Sequence, residues 1–182
     1  MSQQTVRRKM TKEERIELTK RVIKDFKVYR VISEIDIVEM TLDDIIEMGY
    51  GHLMFCEDRV LPDGGYRPGS FAVCISGDTE PLIVIHKNDY GNQVTFNHEL
   101  HHALRIFAYD FSTDEVVLES QKQAEIDADN YALSKPHKRE DAERFLDMLR
   151  TVLAGIDDDA EPGIRAMFEA RVANFEKRLA DM

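Results

Sequence analysis

Long apolar runs, paired thiols and an excess of basic charge are all missing from this chain. No hydrophobic stretch in its 182 residues approaches the roughly 20 that a membrane-crossing helix needs, so no such helix is expected. The two cysteines, Cys56 and Cys74, have no Cys-x-x-Cys partner, which leaves a thiolate zinc site without support. In their apolar, strand-like settings they read as buried free thiols rather than as a disulfide. Lys and Arg number 24 against 35 Asp and Glu, a formal net charge of −11, which argues against a broad basic surface for gripping nucleic acid. The main basic cluster, Arg7-Arg8-Lys9 with Lys12 nearby, reads as a short solvated tail. No apolar segment follows the polar stretch Met1 to Lys12, so no secretory signal is expected and the cytoplasm is the expected compartment. The acidic run Asp157-Asp158-Asp159 with Glu161 lacks the spacing and closing Glu of a calcium loop and reads as a charged linker.

What is present suits one domain, residues 1–182, with an ordinary globular balance of 43% hydrophobic and 32% charged residues. Thr11-Lys12-Glu13-Glu14 has the form of a capping box and predicts a helix to about Phe26. A second, short helix is expected from Thr41, with Asp43 and Asp44 in its first turn and an end near Gly49 and Gly51. Three strands are expected at Leu53 to Cys56, Phe71 to Ile75 and Leu82 to His86, separated by turns at Pro62-Asp63-Gly64-Gly65 and Gly77-Asp78. From Thr95 the pattern becomes helical, with further helices over about Leu118 to Ser134, Glu140 to Ala154 and Pro162 to Ala180. The expected fold class is therefore α+β, a small three-stranded, largely antiparallel sheet followed by a helical half. Residues 1–51 would carry the N-terminal helices, 52–136 the sheet and metal-binding helices, and 137–182 the C-terminal helices.

The chemistry concentrates in His98-Glu99-Leu100-His101-His102, an H-E-x-x-H pattern. Residues four apart share a helix face, so His98 and His102 can bind one ion together while Glu99 takes a proton from an attacking water. Leu100, Ala103, Leu104 and Phe107 form a stripe nearly opposite those imidazoles at about 100° per residue, which predicts one core-facing side and one polar side.

A catalytic zinc usually takes three protein ligands, so a third must be found. The best assignment is Glu125, within Glu125-Ile126-Asp127-Ala128-Asp129. Asp129, four residues on, shares its face and can accept the second ring N–H of a ligand histidine. Small residues at Ala128 and Ala132 let the two helices approach. Asp110, Asp114, Glu115 and Glu119 compete by proximity in sequence. Of these, Asp110 and Asp114 fall in an expected loop, and Glu119 has a role as a helix-dipole carboxylate. His101 lies about 60° around the helix from His98 and reads as a partly exposed or hydrogen-bonded helix residue, with a place beside the metal or substrate as the alternative. His52, His86 and His137 are isolated. Tyr90, Tyr109 and His101 are the candidates for stabilising an oxyanion. One Zn2+ per chain is the expected cofactor, though two imidazoles and a carboxylate would accept other divalent ions.

Thr95-Phe96-Asn97-His98-Glu99-Leu100-His101-His102, followed by Glu125-x-x-Ala128-Asp129-x-Tyr131-Ala132, resembles the ImmA/IrrE family of gluzincin metallopeptidases. That family's pattern is close to T-x-x-H-E-x-G-H, then E-x-x-A-N-x-F-A. The run Ile83-Val84-Ile85-His86-Lys87-Asn88 sits where the family has a strand leading into its metal helix, and Glu125-x-x-x-Asp129 is similar to the E-x-x-x-D of thermolysin-like enzymes. The resemblance covers roughly residues 82 to 136. His101 stands in place of the family's Gly, Asp129 in place of its Asn, and Leu133-Ser134-Lys135-Pro136 in place of Leu-Leu-Met-Pro. It implies a zincin-like arrangement with the metal-binding helix at its centre, and a peptidase that cleaves or inactivates an intracellular helix-turn-helix repressor. No helix-turn-helix is evident in this chain, so any DNA-binding partner would be a separate protein. Two function classes follow: a zinc endopeptidase of narrow specificity, and a metal-stabilised, non-catalytic protein that sequesters a repressor or forms part of a toxin–antitoxin pair.

Overall fold

Thr11 and Glu14 exchange hydrogen bonds at the start of the first helix: Thr11 N donates to Glu14 Oε2 at 2.8 Å, and Glu14 N donates to Thr11 Oγ1 at 3.2 Å. This is the reciprocal capping that the sequence predicts. The computed structural model describes residues 11–48, 69–73, 81–105, 114–157 and 162–182. Helix α1 spans Lys12–Val22, and a 3-10 turn, Ile23–Asp25, leads into strand β1, Phe26–Ser33. The helix thus ends before Phe26, which is the first residue of a strand. A two-residue turn, Glu34-Ile35, joins β1 to β2, Asp36–Met40. This hairpin was not expected from the sequence. Its side-chain alternation is blurred because Ile32, Ile35 and Val38 are apolar yet exposed, so the two-residue period is hard to read.

A second capping box, Thr41 with Asp44, opens α2, Leu42–Glu47. Strands β3, Phe71–Val73, and β4, Leu82–His86, complete a four-stranded antiparallel sheet of order β2-β1-β4-β3. Four described strands replace the expected three. The expected strand at Leu53 to Cys56, the remainder of Phe71 to Ile75, both cysteines and the Pro62 and Gly77 turns lie outside the described residues.

All five residues of β4 are buried, because both sheet faces are covered. Leu82 and Val84 point with Phe26 and Val28 toward Leu18 of α1 and Ile45 of α2. Ile83 and Ile85 point the other way, with Val31, onto Leu100 and Ala103 of helix α3, Gln93–Arg105. Leu104, expected in the same buried stripe, is 38% exposed, and Phe107 lies outside the described residues.

Helices α4, Asp114–Ser134, α5, Arg139–Ala154, and α6, Pro162–Ala180, form the helical half. Asp114 is the first residue of α4 rather than part of a loop. Against α3 they build a third cluster of Val94, Ala132, Phe145, Leu149, Phe175 and neighbours, with the Phe145 and Phe175 rings stacked at 5.3 Å. Helix α3 therefore has the sheet on one side and helices on the other, so its histidine face is buried as well. No helix among the described residues is long and apolar enough to cross a membrane.

Entry into α3 is fixed by side chains. Gly91 adopts φ 78°, a left-handed conformation that glycine takes without Cβ strain. Asn92 Oδ1 then accepts from Val94 N at 3.0 Å and Thr95 N at 3.1 Å, while Asn92 Nδ2 donates to the Asp141 carbonyl at 3.2 Å. One buried side chain thus caps α3 and ties it to the first turn of α5. Asn92→Ala is expected to cost about 1–2 kcal/mol, measured as a lower urea midpoint with an unchanged m-value.

Candidate metal centre

Helix periodicity brings His98 and His102 onto one face of α3, and their Nε2 atoms stand 3.1 Å apart. Glu125 of α4 meets them: Oε2 lies 3.4 Å from His98 Nε2, and Oε1 lies 3.3 Å from His102 Nε2. Close approach of the two helices follows from small side chains, since Ala124, Ala128 and Ala132 are all buried on α4. One ligand atom from each of His98, His102 and Glu125 falls within 4.8 Å of the other two. The sequence-predicted ligands are thus brought together. A tetrahedral zinc with bonds of about 2.05 Å has ligand–ligand edges of about 3.3 Å. The 3.1 Å between the imidazole nitrogens and the 3.3 Å from His102 Nε2 to Glu125 Oε1 are close to that edge, so these donors could hold a metal ion.

Asp129, fully buried, lies beside His98 as the sequence predicts, with Oδ1 2.9 Å from Nδ1. The separation is that of a hydrogen bond, although the geometry does not make one. Arg171 of α6 was not anticipated. Its Nε and Nη2 donate to the two oxygens of Asp129, each at 2.9 Å, and its Nη1 lies 2.6 Å from Glu125 Oε2. The sequence did hold a signal: Arg171 falls on the α6 stripe of Phe168, Val172, Phe175 and Leu179, where a charge is out of place unless it is paired.

The electrostatics favour positive charge at His98. Burial pushes the His98 pKa down, but Asp129 and Glu125 overcome it and hold it up at about 10. Burial pushes Glu125 up, yet its hydrogen bonds to His102 and His98 and the nearby Arg171 hold it well below the usual carboxylate range. Glu99, also buried, is raised chiefly by desolvation, with the neighbouring imidazoles pulling partly against it. Metal ligation takes neutral imidazoles; Glu125 and Asp129 against one guanidinium then leave one negative charge uncompensated, and an ionised Glu99 adds a second. A divalent cation supplies that balance.

A cavity of about 530 Å³ opens beside these groups. Glu99, His98, His102, Glu125 and Arg171 make its polar wall. Phe145, Met148, Leu149 and Val152 of α5 and Phe168 of α6 make an apolar one, and Gly69 to Ala72, including the start of β3, border it. His101 is not in this wall. It is buried with its ring 5.0 Å from that of Tyr131, its Nδ1 has no hydrogen-bond partner among the described residues, and burial lowers its pKa to about 4. Neither a partly exposed nor a metal-flanking role therefore holds for it. Tyr90 is also away from the cavity, with Lys27 Nζ 5.8 Å from its ring, and Tyr109 lies outside the described residues. His86 is a buried strand residue whose Nδ1 accepts from Asn88 N, and His137 Nδ1 faces the Lys135 carbonyl at 2.7 Å. Among the competing acids, Asp110 and the side chains of Asp114, Glu115 and Glu119 lie outside what the structure describes, as does His52.

No family model, curated protein or solved structure matches this chain. The chemistry is therefore read from the residues themselves. Protein purified without chelators is expected to carry about one zinc per chain by elemental analysis, and His102→Ala or Glu125→Ala should each abolish it. Stoichiometric zinc in either variant would remove that side chain from the ligand set.

Proposed function

We propose that this protein is a zinc-dependent endopeptidase of the gluzincin type, acting on a protein substrate of narrow range. The observation that carries the reading is a buried glutamate, Glu99, on the wall of the same cavity into which His98, His102 and Glu125 converge. A zinc ion held by His98, His102 and Glu125 would supply Lewis acidity, lowering the pKa of a water toward neutrality and polarising a peptide carbonyl. Glu99 accepts a proton as the water oxygen bonds to the carbonyl carbon. It then passes that proton to the amine nitrogen as the C–N bond breaks, leaving a carboxylate and an amine. The raised Glu99 pKa brings the group nearer to neutrality, where one carboxyl can both take and return a proton. Asp129 orients the His98 ring and raises its basicity.

Substrate placement is supported by the cavity, which Gly69 to Ala72 and the start of β3 border. An extended chain lying in this cavity would bring a peptide bond past Glu99. The motif resemblance favours a helix-turn-helix repressor in the cytoplasm as that substrate. The apolar wall contributed by α5 and α6 also suits the second reading, a metal-stabilised protein that holds a repressor, or its toxin–antitoxin partner, without turnover. Glu99→Gln separates the two. We expect it to keep its zinc and to lose at least a hundredfold of the cleavage rate, about the contribution of a general base, scored as intact co-expressed repressor on a gel. Undiminished cleavage would reject Glu99 as the base, and repressor inactivation without cleavage would favour sequestration.

A further inference from the structure

Arg171 reaches the centre from α6, a helix that carries none of the three ligands. Each of its three nitrogens meets a carboxylate, with two hydrogen bonds of 2.9 Å to Asp129 and a 2.6 Å contact with Glu125 Oε2. Only 5% of the residue is exposed, and the Phe168 ring, one turn earlier, lies 5.5 Å from its Cζ. One side chain therefore touches a ligand carboxylate directly and, through Asp129, faces a ligand imidazole.

We propose that Arg171 is a positioning residue that confines Glu125 to one coordinating oxygen, Oε1, and so keeps a coordination position open for water. The inference rests on the metal centre proposed above and adds to it how coordination number is controlled. A carboxylate with both oxygens free can chelate one ion through both. Here Oε2, although 3.4 Å from His98 Nε2, is already engaged at 2.6 Å by a buried cation that has no solvent to retreat into. Oε1 faces His102 Nε2 at 3.3 Å.

Two effects of Arg171 on a bound dication oppose each other. Its positive charge repels the ion, while its ion pair with Glu125 and its hydrogen bonds to Asp129 hold both carboxylates in place. The Asp129 carboxylate is paired with the same guanidinium through two hydrogen bonds, so the pair acts at the centre more as a dipole than as a charge. Orientation is therefore the larger effect, and loss of Arg171 should weaken binding. Lysine cannot substitute, because a single ammonium lacks the fork that reaches both carboxylates.

Cobalt(II) reports coordination number directly, since its visible absorption is intense when four-coordinate and weaker when five-coordinate. The probe is Co2+ itself, titrated into the parent protein, Arg171→Lys and Arg171→Gln after zinc removal. In the parent we expect one Co2+ per chain with the intense four-coordinate band. Both variants should bind Co2+ roughly ten- to a hundredfold more weakly, with the band weakened toward the five-coordinate pattern. Arg171→Lys keeps the buried positive charge and decides the question alone should Arg171→Gln not fold. A purely structural role for Arg171 predicts lower thermal stability with the parent's affinity and spectrum, and that result overturns the proposal while leaving the metal centre standing. A folded parent that takes up no Co2+ overturns both.

Discussion

Three carboxylates, two imidazoles and a guanidinium share one buried space between α3, α4 and α6, and each is tolerable there only because of the others. Asp129 is fully buried and Arg171 nearly so, which would cost several kcal/mol for either charge left alone. Paired through two parallel hydrogen bonds, they fix the lateral position of α6 against α4, a contact extended by the Asn174 Nδ2 to Asn130 Oδ1 hydrogen bond. Glu125 and His98 are held from the same point. The packing of the helical half and the aim of the candidate ligands are thus one problem with one solution.

Helix α3 meets that constraint because it is gripped on every side. Leu100 and Ala103 seat it on the sheet, Val94 anchors it in the α5 and α6 cluster, and Asn92 joins its first turn to Asp141. Ser70 adds a tie from the strand side: its hydroxyl donates to Asp89 Oδ2 at 2.7 Å and accepts from His86 N at 3.0 Å. The edge strand, the turn after β4 and the start of α3 are consequently held in register with one another. A site on a helix clamped in this way is held more precisely than one on a loop, which suits ligands that must sit within a few tenths of an ångström.

The cavity takes its character from three sources. The α3 and α4 faces supply polar groups, the segment Gly69 to Ala72 borders it, and α5 with α6 supplies Phe145, Met148 and Phe168. Met148 is partly exposed although apolar, which is how the lining of a recess open to an incoming chain would look. Polar chemistry beside an apolar recess matches the general form of a small-molecule or peptide site. It is on this combination, rather than on the metal donors alone, that the proposed peptidase activity rests.

Spacing within one element was legible in the sequence. His98, Glu99 and His102 share a helix because helical geometry puts residues four apart on one face, and Glu125 and Asp129 repeat that relation on α4. The Thr11 capping box, the start of α2 at Thr41 and the limits of α5 and α6 were legible for the same reason, since each depends on residues near in the chain. The β1–β2 hairpin was not, because exposed Ile32, Ile35 and Val38 disguise its period and its pairing with β4 joins residues more than fifty positions apart. Arg171 was hidden in the same way. Its type and place on α6 mark it as a buried charge, but only tertiary packing decides which carboxylates it meets, because that choice is made by the crossing of helices and not by any periodicity along the chain.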